Sequence, residues 1–259
     1  MALASEDMLV VIAAIRRTGS TLLSEALTEL PATAFVFREP GLFTGRLRLK
    51  QRDVDLLAAN GLDLGAAAER QRRAGGRQVA ERFRKLVAEP AGAVLRQVGI
   101  KEIRYGPGWA EVLDELGPVR VVALARDPRD IYLSLASVPP SFPLRLDGPF
   151  GPESVARDIE REARRQHELI EHTGALRVRY EDLCSDPGVL DRIRAFVGSP
   201  VSGSAHIGRF SPANRAIHGS AITSRRVALH RSEPDARRAA DADEVAARLD
   251  WYREAWGYP

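Results

Sequence analysis

The sequence predicts an α/β fold in which helices cover both faces of a central, mainly parallel sheet. Two observations carry this expectation. Apolar runs rich in β-branched residues, Met8 to Ile15 and Val119 to Ala125, have the composition of strands buried on both faces. Between and after them, apolar residues recur at helical spacing, so strands and helices alternate along the chain.

The elements follow in order. Met8 to Ile15 is the first strand, Arg16 to Ser20 a small-residue turn, and Leu22, Leu23, Ala26, Leu27 and Leu30 mark a helix that Pro31 stops. Ala34 to Phe37 reads as a second strand. Residues 46–96 are rich in Ala, Arg and Leu and read as a helical insertion of two or three amphipathic helices. Gln97 to Lys101 resumes the strand pattern, Trp109 to Leu116 is a helix, and Val119 to Ala125 runs into a helix opened by Pro128. After the proline-rich stretch Pro139 to Pro152 come a helix near Glu153 to Thr173, a strand at Leu176 to Tyr180 and a helix from Pro187 to Phe196. The polar stretch 199–234 reads as a surface lid, and a last helix sets Val245, Leu249, Tyr252 and Trp256 on one stripe. One domain accommodates the 259 residues.

Composition narrows the function classes. No apolar run approaches the roughly 18 residues of a membrane span, so no membrane partner is expected. In the N-terminal run the basic pair Arg16 and Arg17 follows the apolar residues, the reverse of a secretory signal. A single cysteine, Cys184, fits a reducing compartment, and a cytoplasmic location is expected. Of 38 basic residues only Lys50, Lys85 and Lys101 are lysine, yet the net charge is only +3. The basic cluster Arg70, Arg72, Arg73, Arg77, Arg82, Arg84 and Lys85 reads as a solvated helix face, with an acidic-substrate or nucleic-acid surface as the alternative. No nucleic-acid partner is expected, and the oligomeric state is left open. The five histidines form no short ligand cluster, so no metal site is expected.

Candidate site residues stand just past the strands, where parallel sheets bind their ligands: Arg17, Glu39, Lys101 and Arg126. The first loop, Arg17, Thr18, Gly19, Ser20 and Thr21, is an anion cradle in which backbone N–H groups, a guanidinium and three hydroxyls converge. It is not a nucleoside-triphosphate P-loop. In the register G-x-x-x-x-G-K-[ST] the first glycine is Ala14 and the lysine position is Ser20. The later strand ends in Arg126, without a magnesium-holding aspartate.

Arg17-Thr-Gly-Ser-Thr-Leu-Leu23 resembles the 5′-phosphosulfate-binding loop of the sulfotransferases that use 3′-phosphoadenosine 5′-phosphosulfate. Leu124-Ala-Arg126-Asp-Pro-Arg-Asp130, with Ser134 eight residues after Arg126, is similar to the family's 3′-phosphate-binding segment. Val178-Arg-Tyr180-Glu-Asp-Leu183, Gly99-Ile-Lys101-Glu-Ile-Arg104 and Phe37-Arg-Glu39-Pro40 match further segments, the last two common in bacterial and protein-tyrosine branches. These matches run in family order from residue 9 to about 198.

The resemblance implies a P-loop NTPase-like fold and sulfuryl transfer to a hydroxyl of a small-molecule acceptor, with no metal. It implies Arg17 and the 18–21 loop on the 5′-phosphate, Arg126 and Ser134 on the 3′-phosphate, and Lys101 on the sulfuryl or bridging oxygens. Glu39 is the candidate general base, with Glu102 as runner-up; pairing of Glu39 with Arg38 or Arg104 is the structural alternative. The histidine base of small-molecule members is absent, since Ile103 stands at the comparable place. Arg225 or Arg226 adds to the 3′-phosphate site if 218–226 closes over the nucleotide; a solvated basic loop is the equal alternative. The insertion 46–96 and the 139–152 loop are expected to shape the acceptor pocket.

Overall fold

The computed structural model describes residues 9–31, 33–65, 78–138, 146, 148–201 and 227–259. The strands are β1 (Leu9–Ala14), β2 (Ala34–Arg38), β3 (Gln97–Glu102), β4 (Val119–Ala125) and β5 (Leu176–Arg179). They form one sheet in the order β2-β3-β1-β4-β5, with every neighbouring pair parallel. The helices are α1 (Ser20–Ala26), α2 (Gln51–Ala58), α3 (Val79–Phe83), α4 (Trp109–Leu116) and α5 (Pro128–Ala136), then α6 (Pro152–Thr173), α7 (Tyr180–Ser185), α8 (Pro187–Val197), α9 (Ala236–Ala247) and α10 (Asp250–Trp256). The predicted α/β architecture is present.

Side chains alternate across the pleat, so each strand feeds two layers. Val10, Ile12, Ala14, Val36, Val122 and Leu124 pack with Leu23 and Leu27 of α1 and Leu190 and Ile193 of α8. Val11, Ala13, Phe35, Phe37 and Ile100 face the other way, onto Leu57, Phe83, Leu113 and Leu169. On that same side, Ala123 and Ala125 meet Ile131, Ile159, Val245 and Tyr252.

Two boundaries depart from expectation. The first helix ends at Ala26, not at Pro31. There the Thr28 hydroxyl donates to the Ser24 carbonyl (2.8 Å) and accepts from the Val36 N–H (3.1 Å), steering the chain into β2. The last helix is two, broken at Arg248 and Leu249, although Val245, Leu249, Tyr252 and Trp256 still bury into one cluster.

Of residues 46–96, α2, α3 and the stretch that follows α3 are helical, and 66–77 lie outside the described residues. After α3 the chain runs through a π-helical turn, Arg84–Ala88, into Glu89–Gly92. Of the basic cluster, Arg70, Arg72, Arg73 and Arg77 lie outside the described residues, as do most of the 139–152 loop and residues 202–226 of the expected lid. Lys85 pairs with Glu81 one turn away at 2.6 Å, on a solvated face. No helix among the described residues is long and apolar enough to cross a membrane.

A buried charge cluster ties the insertion to the sheet. Arg38, at the end of β2, is 7% exposed; its Nη1 donates to Glu25 of α1 (3.0 Å) and its Nε to Asp53 of α2 (3.1 Å). The other Asp53 oxygen accepts from the Arg38 backbone N–H at 3.0 Å. Removing one partner of a buried pair leaves the other charge desolvated and unmatched. Asp53→Ala is therefore expected to lower unfolding free energy by about 3 kcal/mol, the low end for such pairs because Glu25 remains. Urea denaturation read by circular dichroism measures it.

Candidate functional site

The sheet order sets the site. From β1 the chain goes outward to β2 and returns through β3, whereas β4 and β5 extend the opposite edge. The crevice beyond the carboxyl ends of β1 and β4 is the place where connections leave in opposite directions. Here the last carbonyls of the two strands are taken up by side chains. Gln166 of α6, fully buried, donates from Nε2 to Ala13 O (2.8 Å) and Leu124 O (3.1 Å), and the Tyr105 hydroxyl donates to Ala14 O (3.0 Å).

The loop after β1 is bent by two residues in the left-handed region, Arg17 (φ 66°) and Gly19 (φ 83°). Gly19 is needed twice. Its φ suits glycine, and a Cβ there would lie 2.3 Å from Cδ2 of Tyr180. Thr18 is fully buried and its hydroxyl donates to Ile15 O at 2.8 Å, so its side chain holds the turn and does not face the crevice. Ser20 is also buried, at 5% exposure, whereas Thr21 is half-buried.

Three residues expected to act on phosphates are brought together across this crevice. Arg17 Nε donates to the Ser134 hydroxyl at 2.9 Å, across 117 residues of chain. Arg126 Nη1 donates to the Arg17 carbonyl at 3.1 Å. The Arg126 guanidinium lies over the Tyr180 ring at 4.5 Å, the ring that also caps Gly19. The C-terminal helix pins the Arg126 backbone, for the Tyr252 hydroxyl donates to Arg126 O (3.2 Å) and accepts from its N–H (3.3 Å). Beside it, Asp127 caps α5 by accepting from Arg129 N–H at 2.9 Å. Arg225 and Arg226 lie outside the described residues.

Lys101 and Glu39 form the second centre. Lys101, at the end of β3 and 1% exposed, donates to Glu39 Oε1 (2.5 Å) and Thr21 Oγ1 (3.3 Å). Lys50, just ahead of α2, donates to Glu39 Oε2 at 2.9 Å. Two of the chain's three lysines thus share one carboxylate. Glu39 partners these lysines and not the neighbouring arginines, because Arg38 is committed to Asp53 and Glu25 and Arg104 faces Asp158 and Glu162. Glu39 itself takes a φ of 53°, rare for a non-glycine residue, while its N–H stays on the sheet ladder through Lys101 O at 2.7 Å.

Burial pushes the Glu39 carboxyl up, but Lys101 and Lys50 outweigh it and hold the group down at about 2. Burial likewise pulls the Lys101 ammonium below its ordinary value, against the upward pull of Glu39. Glu102, 2% exposed, points to the opposite side of β3, where its Oε1 accepts from Leu42 N–H at 2.7 Å. The pleat separates it from Lys101, as strand alternation predicts. Lys50 and Tyr180 were not singled out in the sequence for their roles here. The scarcity of lysine was the available signal for Lys50; nothing local marked Tyr180 as the lid over Gly19. Among the described residues no group of three or more His, Cys, Asp or Glu is placed to hold a metal ion.

Glu102 yields a prediction. Burial pushes its carboxyl up to about 8, against the backbone N–H groups of Leu42 and Gly41 that favour the charged form. A raised carboxyl keeps its proton in the folded state after the unfolded chain has lost it. Stability therefore falls as pH rises from about 4.5 toward 8. Glu102→Gln, which preserves the acceptor for Leu42, is expected to flatten that decline and to be the more stable protein at pH 8. Urea unfolding at pH 5 and pH 8 measures both.

No protein-family model matches the sequence, and no curated protein matches it. Solved structures do. The sulfotransferase domain of the olefin synthase of Synechococcus PCC 7002 is similar at a TM-score of 0.61 and 22% identity, over 98% of this chain and 95% of that one. The sulfotransferase domain from the curacin biosynthetic pathway aligns over 94% of this chain and 98% of its own, with a TM-score of 0.58 and 14% identity. A sulfotransferase from Alicyclobacillus acidocaldarius aligns over 97% and 96%, at 0.50 and 15%. Over nearly its whole length, the chain has the fold of the sulfotransferases.

Proposed function

We propose that the chain is a sulfotransferase that moves a sulfuryl group from 3′-phosphoadenosine 5′-phosphosulfate to a hydroxyl of a small-molecule acceptor. The observation that carries this reading is the convergence of Arg17, Arg126 and Ser134 on one side of the first loop, with Lys101 against Thr21 at its other end. A donor with two separated anionic ends needs two such centres. A triphosphate site needs the P-loop lysine that Ser20 replaces.

In this reading Arg126 and Ser134 receive the 3′-phosphate, and Arg17 with the N–H groups of Thr18, Gly19, Ser20 and Thr21 receives the 5′-phosphate. The Arg17 to Ser134 hydrogen bond joins the two centres and is exchanged for phosphate contacts when donor binds. Lys101 turns from Glu39 to the sulfuryl and bridging oxygens, where charge develops in the transition state. The acceptor oxygen attacks sulfur in line, and its proton passes to the Glu39 carboxylate. The bond from sulfur to the 5′-phosphate oxygen breaks, and its electron pair leaves on that oxygen, yielding adenosine 3′,5′-bisphosphate.

Glu39 held between two ammonium groups is a poor base, so losing Lys101 to the donor is what raises its basicity. Base activation then follows donor binding. The half-exposed rim at Lys50 and the start of α2 supports an acceptor site bordered by the insertion. Closure of residues 218–226 over the nucleotide, with Arg225 or Arg226 adding to the 3′-phosphate site, is part of this proposal and lies outside the described residues. A single cysteine, Cys184, supports a reducing, cytoplasmic setting.

Thermal shift with adenosine 3′,5′-bisphosphate against ATP with magnesium tests the donor. A clear stabilisation by the bisphosphate without metal is expected, and preference for ATP with magnesium overturns the reading. Arg17→Ala or Arg126→Ala is expected to remove most of the shift. With labelled donor and a panel of hydroxyl acceptors, Glu39→Gln is expected to keep the shift and lose turnover by about 100-fold or more. Full activity in that variant removes Glu39 as the base.

A further inference from the structure

Behind Arg126, on the side away from the first loop, stands a carboxylate that the proposed chemistry does not use. Asp130 of α5 is fully buried. Its Oδ1 accepts two hydrogen bonds from one residue, the His230 backbone N–H at 3.1 Å and the His230 ring Nδ1 at 2.8 Å. Its Oδ2 accepts none and faces Arg126 Nη2 at 3.7 Å. A carboxylate only accepts, so the ring hydrogen of His230 sits on Nδ1. His230 belongs to the short turn Leu229–Ser232, which packs against α5 one hundred residues away in sequence.

A buried acid this close to an anion site does two opposed things. It fixes the arginine that must meet the phosphate, and it repels the phosphate itself. Two donors on the far oxygen draw negative charge toward Oδ1 and away from Arg126. They also hold the carboxylate at 3.7 Å, too far to lock the guanidinium in a bidentate pair.

We infer that His230 is a positioning residue for the donor's 3′-phosphate. It holds and partly neutralises Asp130, so that Asp130 steers Arg126 without capturing it. This rests on the reading that Arg126 receives the 3′-phosphate. Without the His230 ring donor, the backbone N–H alone holds Oδ1, and Asp130 can close on Arg126 as a direct competitor of the ligand. His230 touches neither ligand nor reacting atoms; it acts through Asp130.

Calorimetric titration of the full chain with adenosine 3′,5′-bisphosphate and with adenosine 5′-monophosphate isolates the effect, because the ratio of the two affinities reports the 3′-phosphate alone. His230→Ala is expected to cut that ratio about tenfold or more while leaving monophosphate affinity near wild type. His230→Asn, whose amide N–H can stand where Nδ1–H stood, is expected to retain most of the ratio, and His230→Gln to lose it. A ratio unchanged in His230→Ala, or equal losses for both nucleotides, overturns the inference and leaves only a structural role. A wild-type chain with no preference for the bisphosphate overturns the donor-site reading itself, and this inference with it.

Discussion

Each strand that ends in the crevice delivers a cation into a nearly dry place, and neutralising those cations organises everything around them. Arg38 at the end of β2 is met by Asp53 and Glu25, Lys101 at the end of β3 by Glu39, and Arg126 just past β4 by Asp130. Arg16, after β1, is met by Asp158 of α6 at 2.9 Å. Moving an unpaired charge out of water costs several kcal/mol even after relaxation, so none of these side chains could sit where it does alone. The counter-ions come from different elements: α1, α2, α5, α6 and the turn after β2. Charge pairing thus fastens the surrounding helices to the carboxyl edge of the sheet.

The pairs divide by what can replace the carboxylate. Arg38 is closed on three sides, with its backbone N–H also taken by Asp53, and no ligand reaches it. Its role is structural. Lys101 and Arg126 are less closed in by their partners. Glu39 is half-exposed and shared with Lys50, and Asp130 stands 3.7 Å from Arg126. In the proposed mechanism an anion entering the crevice takes the place of the carboxylate at both cations.

The sheet was legible because buried parallel strands must be apolar on both faces, and β1 carries that signature over its whole length and β4 from Val121 to Ala125. Helix ends were less so. The halt at Ala26 depends on Thr28 meeting Val36 across the chain, an interaction absent from local propensity. In the site, the loop and its arginines followed from residue type beside strand ends, and Gly19 from the turn it must make. The hydroxyl of Thr18 braces the turn through Ile15 O, a contact that residue type alone does not announce, and leaves the Thr18 N–H for the proposed 5′-phosphate site. Lys50, Asp53, Asp130 and His230 could not be placed, because each acts through a partner 11 to 100 residues away.

The charge around Glu39 fixes an order of events. A carboxylate between two ammonium groups is stabilised as an anion, and the same stabilisation makes it unwilling to accept a proton. One lysine is deeply buried at a strand end facing Thr21, and the other is nearly half exposed on the insertion. If the buried one turns to the donor, as the proposed mechanism has it, the exposed one still holds Oε2, so the carboxylate keeps its place while Oε1 is uncovered. In the proposed mechanism Oε1 therefore gains basicity only with the donor in place. A chain with three lysines has placed two of them on the carboxylate that the proposed mechanism uses as its base.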